Sequence, residues 1–140
     1  MVGMAGGPKG DAMDASVQTV LLVDDDAFVR ESVAWLLEDL GYQVRAAADG
    51  HEAIRAIEAD PAIDVVILDH TMPGLSGMAT LDRLRALRPR LPVVYATGRL
   101  DPETTQRLAR FPKVRAVAKP FTPEELQEAL TAVRSDAVGS

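Results

Sequence analysis

Val20-Leu21-Leu22-Val23-Asp24-Asp25 and Val65-Val66-Ile67-Leu68-Asp69 have one pattern: an uninterrupted apolar run of strand length that breaks off at a carboxylate. Val93-Val94-Tyr95-Ala96-Thr97 repeats the pattern with a hydroxyl, and Val117-Ala118-Lys119 repeats it with an amine. Runs this short, without polar alternation, read as strands buried on both faces of a parallel sheet. In such sheets ligands collect outside the carboxyl ends of the strands. Asp24, Asp25, Asp69, Thr97 and Lys119 are therefore expected to meet at one edge.

Outward from these runs, strand and helix signals alternate five times. A strand over 19–23 leads to a helix with Val29, Val33, Leu36, Leu37 and Leu40 as its apolar stripe, stopped by Gly41. Tyr42 to Ala47 reads as the second strand, and Asp49-Gly50-His51-Glu52 as a capping box that opens a helix burying Ala53, Ile54 and Ile57. After Asp69 and a Pro-Gly turn, Ser76 caps a helix with Leu81, Leu84 and Leu87 inward. A strand follows Pro92, Asp101-Pro102 opens a short helix, Val114 to Ala118 is the fifth strand, and Thr122-Pro123-Glu124-Glu125 starts a helix burying Leu126, Leu130 and Val133. Gln43, Arg45 and Arg115 mark the second and fifth strands as edges, because charge is penalised in the middle of a sheet. Right-handed crossovers then predict an α/β fold with a five-stranded parallel sheet in the order 2-1-3-4-5, and the aspartates at its switch point.

The chain's 140 residues, 47% apolar and 26% charged, suffice for one core. Residues 1–18 are expected to be a disordered lead, 19–134 the folded unit, and 135–140 a C-terminal tail. No stretch reads as a signal peptide or has membrane-spanning length. The absence of cysteine is compatible with a reducing compartment, and a cytoplasmic location is expected. A net charge of -6 argues against direct DNA binding, which calls for a concentrated positive surface.

Gathering Asp24, Asp25 and Asp69 has a cost. Two like charges about 4 Å apart repel by roughly 4 kcal/mol at an effective dielectric near 20, and Lys119 supplies one compensating charge for three. A hard divalent cation completes the neutralisation, and an all-oxygen site suits Mg2+ better than zinc. His51 and His70 make no zinc-ligand pattern, and His70 reads as a partly exposed neighbour of the site.

Val23-Asp24-Asp25, Leu68-Asp69 with Met72-Pro73-Gly74 and Gly77, Ala96-Thr97-Gly98 and Lys119-Pro120-Phe121, in this order and spacing, resemble the receiver domain of two-component response regulators. The similarity runs from about Thr19 to Val133. It implies a flavodoxin-like, doubly wound (βα)5 fold in which Asp69 accepts a phosphoryl group from a phosphohistidine. The donor would be a sensor histidine kinase or a histidine phosphotransfer protein. The resemblance also implies Mg2+ held by Asp24, Asp25, Asp69 and the backbone carbonyl of Thr71, with Thr97 and Lys119 contacting phosphoryl oxygens and a cis peptide before Pro120. Such a chain is an acceptor that phosphorylates itself rather than a turnover enzyme, and it signals through contact with a downstream protein. With seven residues after Val133, no output domain is expected within this sequence.

One position departs from the pattern. Receivers usually carry an aromatic residue three positions before the strand-five lysine, and Ala116 stands there. Tyr95-Ala96-Thr97-Gly98 is similar to a Phe-Ala-Thr-Gly signature of some stand-alone receivers, and similar wording occurs in receivers of hybrid kinases. Phosphorylation is then expected to be read through the loop after Gly98 and the fourth helix.

Two readings compete. A phosphatase of the haloacid-dehalogenase type would use Asp24 as nucleophile and Asp26 as acid/base, but leaves Asp69 unexplained. A degenerate receiver would serve only as a docking module. A flavin or nucleotide binder is disfavoured, because carboxylates stand where a phosphate-cradling glycine loop would be needed.

Overall fold

The computed structural model describes residues 18–139, with side chains through Arg134. All but Gln18 of the expected lead lies outside the described residues, and the Gln18 carbonyl accepts from the Gln43 N–H at 2.9 Å. Within the described residues, strands β1 (Thr19–Val23), β2 (Gln43–Ala47), β3 (Val65–Asp69), β4 (Val93–Thr97) and β5 (Val114–Ala118) alternate with helices α1 (Ala27–Asp39), α2 (Gly50–Ala59), α3 (Gly77–Leu87), α4 (Pro102–Leu108) and α5 (Pro123–Gly139). All strand pairs are parallel, in the order β2-β1-β3-β4-β5. This is the topology that the alternating signals and the polar second and fifth strands predict.

Alternate side chains of the central strands feed two cores. Leu21, Val23, Val66, Leu68, Val93 and Tyr95 pack under Ile57, Leu81, Leu84 and Leu108 on one face. Val20, Leu22, Val65, Ile67 and Val94 pack under Leu37, Leu126, Leu130 and Val133 on the other. Full burial of one such side chain stabilises by about 1.5–3 kcal/mol, so the two cores together anchor β1, β3 and β4 firmly. The predicted site residues come directly after the strands or at their ends.

Helix ends follow the sequence closely, with small shifts. Gly41, at φ 100°, completes a Schellman motif: its N–H donates to Glu38 O at 3.0 Å, and Tyr42 N–H donates to Leu37 O at 3.0 Å. Tyr42 thus belongs to the helix cap, and β2 begins one residue later than expected. At α2 the Asp49 carboxylate caps Glu52 N–H at 2.8 Å, but Glu52 reaches back to Ala48 N–H, one residue before the usual capping-box donor. Thr122 and Glu125 form the reciprocal pair at α5, at 2.8 and 3.0 Å. The expected tail from Ser135 is helical through Gly139, since no breaker stands before that glycine.

Three of the expected core positions lie outside both cores. Leu40 and Leu87 are exposed and Val29 is half-buried. Leu40 is the α1 cap, where the chain already turns away. At the end of α3 the inward place goes to Arg85, which is buried and donates from Nε and Nη2 to Pro89 O at 2.9 and 2.6 Å. Its guanidinium lies 5.8 Å from the Phe111 ring centroid.

Candidate functional site

The carboxyl ends of β1, β3, β4 and β5 bring the five predicted polar residues to one edge. Asp24, Asp69 and Thr97 are buried and Asp25 is exposed. Carboxylate oxygens of Asp24, Asp25 and Asp69 all lie within 4.8 Å of one another. Lys119 Nζ bridges two of them, donating to Asp24 Oδ2 at 3.2 Å and to Asp69 Oδ1 at 3.1 Å. The lysine is positioned by its N–H, which donates to Thr97 O at 2.8 Å, and the Lys119–Pro120 peptide is cis.

The backbone around each carboxylate is held separately. Asp24 N–H donates to Ala47 O at 3.2 Å, Asp24 Oδ1 accepts from Asp26 N–H at 2.9 Å, and Arg30 Nη1 donates to Asp24 O at 2.7 Å. Asp69 sits where α3 comes closest to β3. A Cβ on Gly77 would lie 2.5 Å from Asp69 O and 2.8 Å from His70 Cα, which real side chains do not tolerate. Glycine at 77 is thus required by the approach of the α3 start to the Asp69–His70 backbone, and the Gly77 N–H donates to His70 O at 3.2 Å.

Burial drives the Asp69 pKa above its ordinary 3.8, with Asp24 and Asp25 adding to the rise and the Lys119 hydrogen bond and charge opposing it. Burial lowers the Lys119 pKa, but the hydrogen bonds and charges of Asp69 and Asp24 outweigh it and hold the ammonium above its ordinary 10.5. One cation therefore leaves the cluster under-neutralised. Three clustered carboxylates with an all-oxygen donor set make an acidic pocket suited to a hard metal ion.

Thr97 and Asp26 each bond backbone groups of the segment that follows their strand. The Thr97 hydroxyl donates to Arg99 O at 3.1 Å and accepts from Arg99 N–H at 3.3 Å, closing a local turn. Asp26 caps α1, its Oδ1 accepting from Phe28 and Val29 N–H at 2.9 and 3.2 Å, the helix-cap role common for an Asp that follows a strand. Ala116 pairs in register with Tyr95 and is half-buried. An open groove lined in part by Leu100, Ala116, Ala118 and Ala129 runs along β5 and α5.

A further contact was not legible beforehand. The Tyr95 hydroxyl lies 2.6 Å from His70 Nδ1, with the rings edge-on at 5.5 Å between centroids and 67° between planes. The available signal was a tyrosine within an otherwise aliphatic strand, and it did not reveal the partner.

Comparison with known proteins agrees with this arrangement. The family model described as "Response regulator receiver domain" matches residues 20–131. The chain is 34% identical, over 88% of its length, to a probable C4-dicarboxylate response regulator, DctR, of Priestia megaterium, and spans 54% of that protein. It is 35% identical over 79% of its length to the sensor histidine kinase RcsC of Salmonella typhi, of which it spans 12%. The chain thus spans about half or less of these curated relatives. Among solved structures, chemotaxis protein CheY4 of Vibrio cholerae superposes with a TM-score of 0.79 at 32% identity, covering 84% of this chain and 99% of CheY4. Response regulator TrrA of Thermotoga maritima, in complex with Mg(2+)-BeF, superposes with a TM-score of 0.74 at 27% identity, covering 83% of this chain and 98% of TrrA. With the family model spanning both ends of the sheet and all four polar strand ends, this chain belongs to the response regulator receiver domain family.

Proposed function

We propose that Asp69 is the phosphoacceptor of a two-component phosphorelay, with a phosphohistidine on a sensor histidine kinase or a histidine phosphotransfer protein as donor. The observation that carries this reading is the buried Asp69 carboxylate at the end of β3, held by Lys119 at 3.1 Å beside two further carboxylates. Attack by an Asp69 oxygen on phosphorus forms an acyl phosphate as the P–N bond of the donor breaks and its imidazole takes up a proton. Lys119 exchanges its hold on Asp69 for a phosphoryl oxygen while keeping Asp24. The Thr97 hydroxyl leaves Arg99 O and donates to another phosphoryl oxygen. Asp24, Asp25, Asp69 and the carbonyl of Thr71 would hold Mg2+, which when bound neutralises phosphoryl charge. The structural likeness to TrrA, a response regulator solved in complex with Mg(2+)-BeF, supports this choice of ion.

Release of Arg99 by Thr97 frees the start of the β4–α4 loop. Helix α4 is the shortest of the described helices, seven residues, and buries only Thr104 and Leu108, so little packing resists its displacement. Output by this route reaches a downstream protein without DNA contact. Phe28 and Trp35 of α1, 77% and 80% exposed, offer apolar surface to a donor protein. No helix among the described residues is long and apolar enough to cross a membrane, and the cytoplasm is the compartment that fits a histidine-kinase donor.

Acetyl phosphate with Mg2+, followed by intact-mass measurement, tests the reading. One added phosphoryl group is expected on the wild type, none on Asp69→Asn, and an undiminished amount on Asp26→Asn. Multiple-turnover hydrolysis of phosphomonoesters that is lost in Asp24→Asn would overturn it.

A further inference from the structure

The strongest unassigned contact is the one between Tyr95 and His70, and its meaning depends on which atom donates. Tyr95 is fully buried, and His70 Nδ1 at 2.6 Å is the partner its hydroxyl has among the described residues. If Nδ1 carried the proton, the buried phenol hydrogen would be left without an acceptor, at the cost of an unsatisfied buried donor. The phenol therefore donates, Nδ1 accepts, and the ring proton of His70 sits on Nε2. Burial pushes the Tyr95 phenol up to about 12, so it keeps its proton throughout the neutral range.

His70 is fixed at three points, of which this contact is one. Its N–H donates to Ala96 O at 2.8 Å, its carbonyl accepts from Gly77 N–H at 3.2 Å, and its ring is tied to Tyr95. The two backbone bonds restrain the residue on either side of its Cα; the ring bond removes the rotation that remains. On one side of His70 lies Asp69, and on the other Thr71. Both belong to the proposed ligand set, so a ring anchor between them sets how precisely carboxylate and carbonyl can face one ion.

We propose that Tyr95 is a positioning residue which, through His70, holds the Asp69 carboxylate and the Thr71 carbonyl in the arrangement that binds the divalent cation. This inference rests on the functional reading above. In the chain's own terms it also explains why the strand position paired with Ala116 carries a tyrosine: the hydroxyl, and not only the ring, has a task. Tyr95→Phe keeps the ring that packs in the core and removes only the hydroxyl.

The test uses the full chain and Mg2+ alone. Titration calorimetry is expected to give Tyr95→Phe roughly fivefold weaker Mg2+ binding than wild type, the worth of one ordinary hydrogen bond. His70→Leu is expected to weaken binding by a similar factor. Adding Tyr95→Phe to His70→Leu should then change nothing further, because the hydroxyl acts through the imidazole. Side-chain nitrogen NMR, with His51→Gln to assign the two histidines, should show the His70 proton on Nε2 in the wild type and a loss of that bias in Tyr95→Phe. A purely structural hydroxyl would lower the melting temperature and leave both the Mg2+ affinity of the folded protein and the double-variant comparison without this pattern. Wild-type affinity in Tyr95→Phe, or an equal loss in the His70→Leu background, overturns the inference while leaving Asp69 as acceptor. Absence of Mg2+ binding by the wild type overturns the functional reading and this inference with it.

Discussion

At the scale of single residues, position and environment diverge in how well they can be read. Asp24, Asp25, Asp69, Thr97 and Lys119 were legible because each ends an apolar run, and a parallel sheet brings such ends together. The environment each side chain finds was not. The Thr97 hydroxyl is satisfied by Arg99, Arg85 is buried, and Tyr95 meets His70; these depend on side-chain directions that spacing does not encode. The raised Asp69 pKa has a consequence for stability. A carboxyl whose folded pKa exceeds its unfolded value binds more protons in the native state, so its contribution falls as pH rises from about 3.8 through the folded value. Asp69→Asn removes that loss. In the metal-free protein at pH 7 the variant is expected to melt higher than the wild type, with the gap closing as the pH is lowered towards 4. A variant that melts lower than wild type at pH 7 would show that Lys119 more than compensates the buried charge.

At the scale of elements, caps and strand ends were legible to within a residue, whereas the limits of apolar stripes were not. A helical wheel gives the spacing of Leu81, Leu84 and Leu87 but not where α3 leaves the sheet, and Leu87 is exposed while Leu84 is fully buried. Chemical denaturation should separate them: Leu84→Ala is expected to cost about 2–5 kcal/mol as a cavity in the core, and Leu87→Ala less than about 0.5 kcal/mol. Equal losses would place Leu87 in the core after all. The junction of β3 and α3 offers a second test. Since a Cβ at 77 would meet Asp69 O at 2.5 Å, Gly77→Ala is expected to push α3 away from the Asp69–His70 backbone, costing about 1–3 kcal/mol. It should also weaken Mg2+ binding in calorimetry. Full Mg2+ affinity in that variant would mean that the site does not depend on the close approach.

At the scale of the whole molecule, the order β2-β1-β3-β4-β5 is what turns separate motifs into one site. It places β1 and β3 side by side, with registers Val20 against Val65 through Val23 against Leu68, so that Asp24 and Asp69 emerge together. It sets β5 beyond β4, from where the Lys119 side chain reaches back to both carboxylates. The architecture thus supplies an under-neutralised cluster of negative charge, of which Asp69 is the member proposed as nucleophile. The most direct measurement is to treat the protein with acetyl phosphate and Mg2+, reduce the acyl phosphate with borohydride, and locate the modified residue by peptide sequencing. Reduction at position 69, dependent on the metal, is the result expected; reduction at 24, 25 or 26, or none in a protein that binds Mg2+, would contradict the assignment of Asp69 as the acceptor.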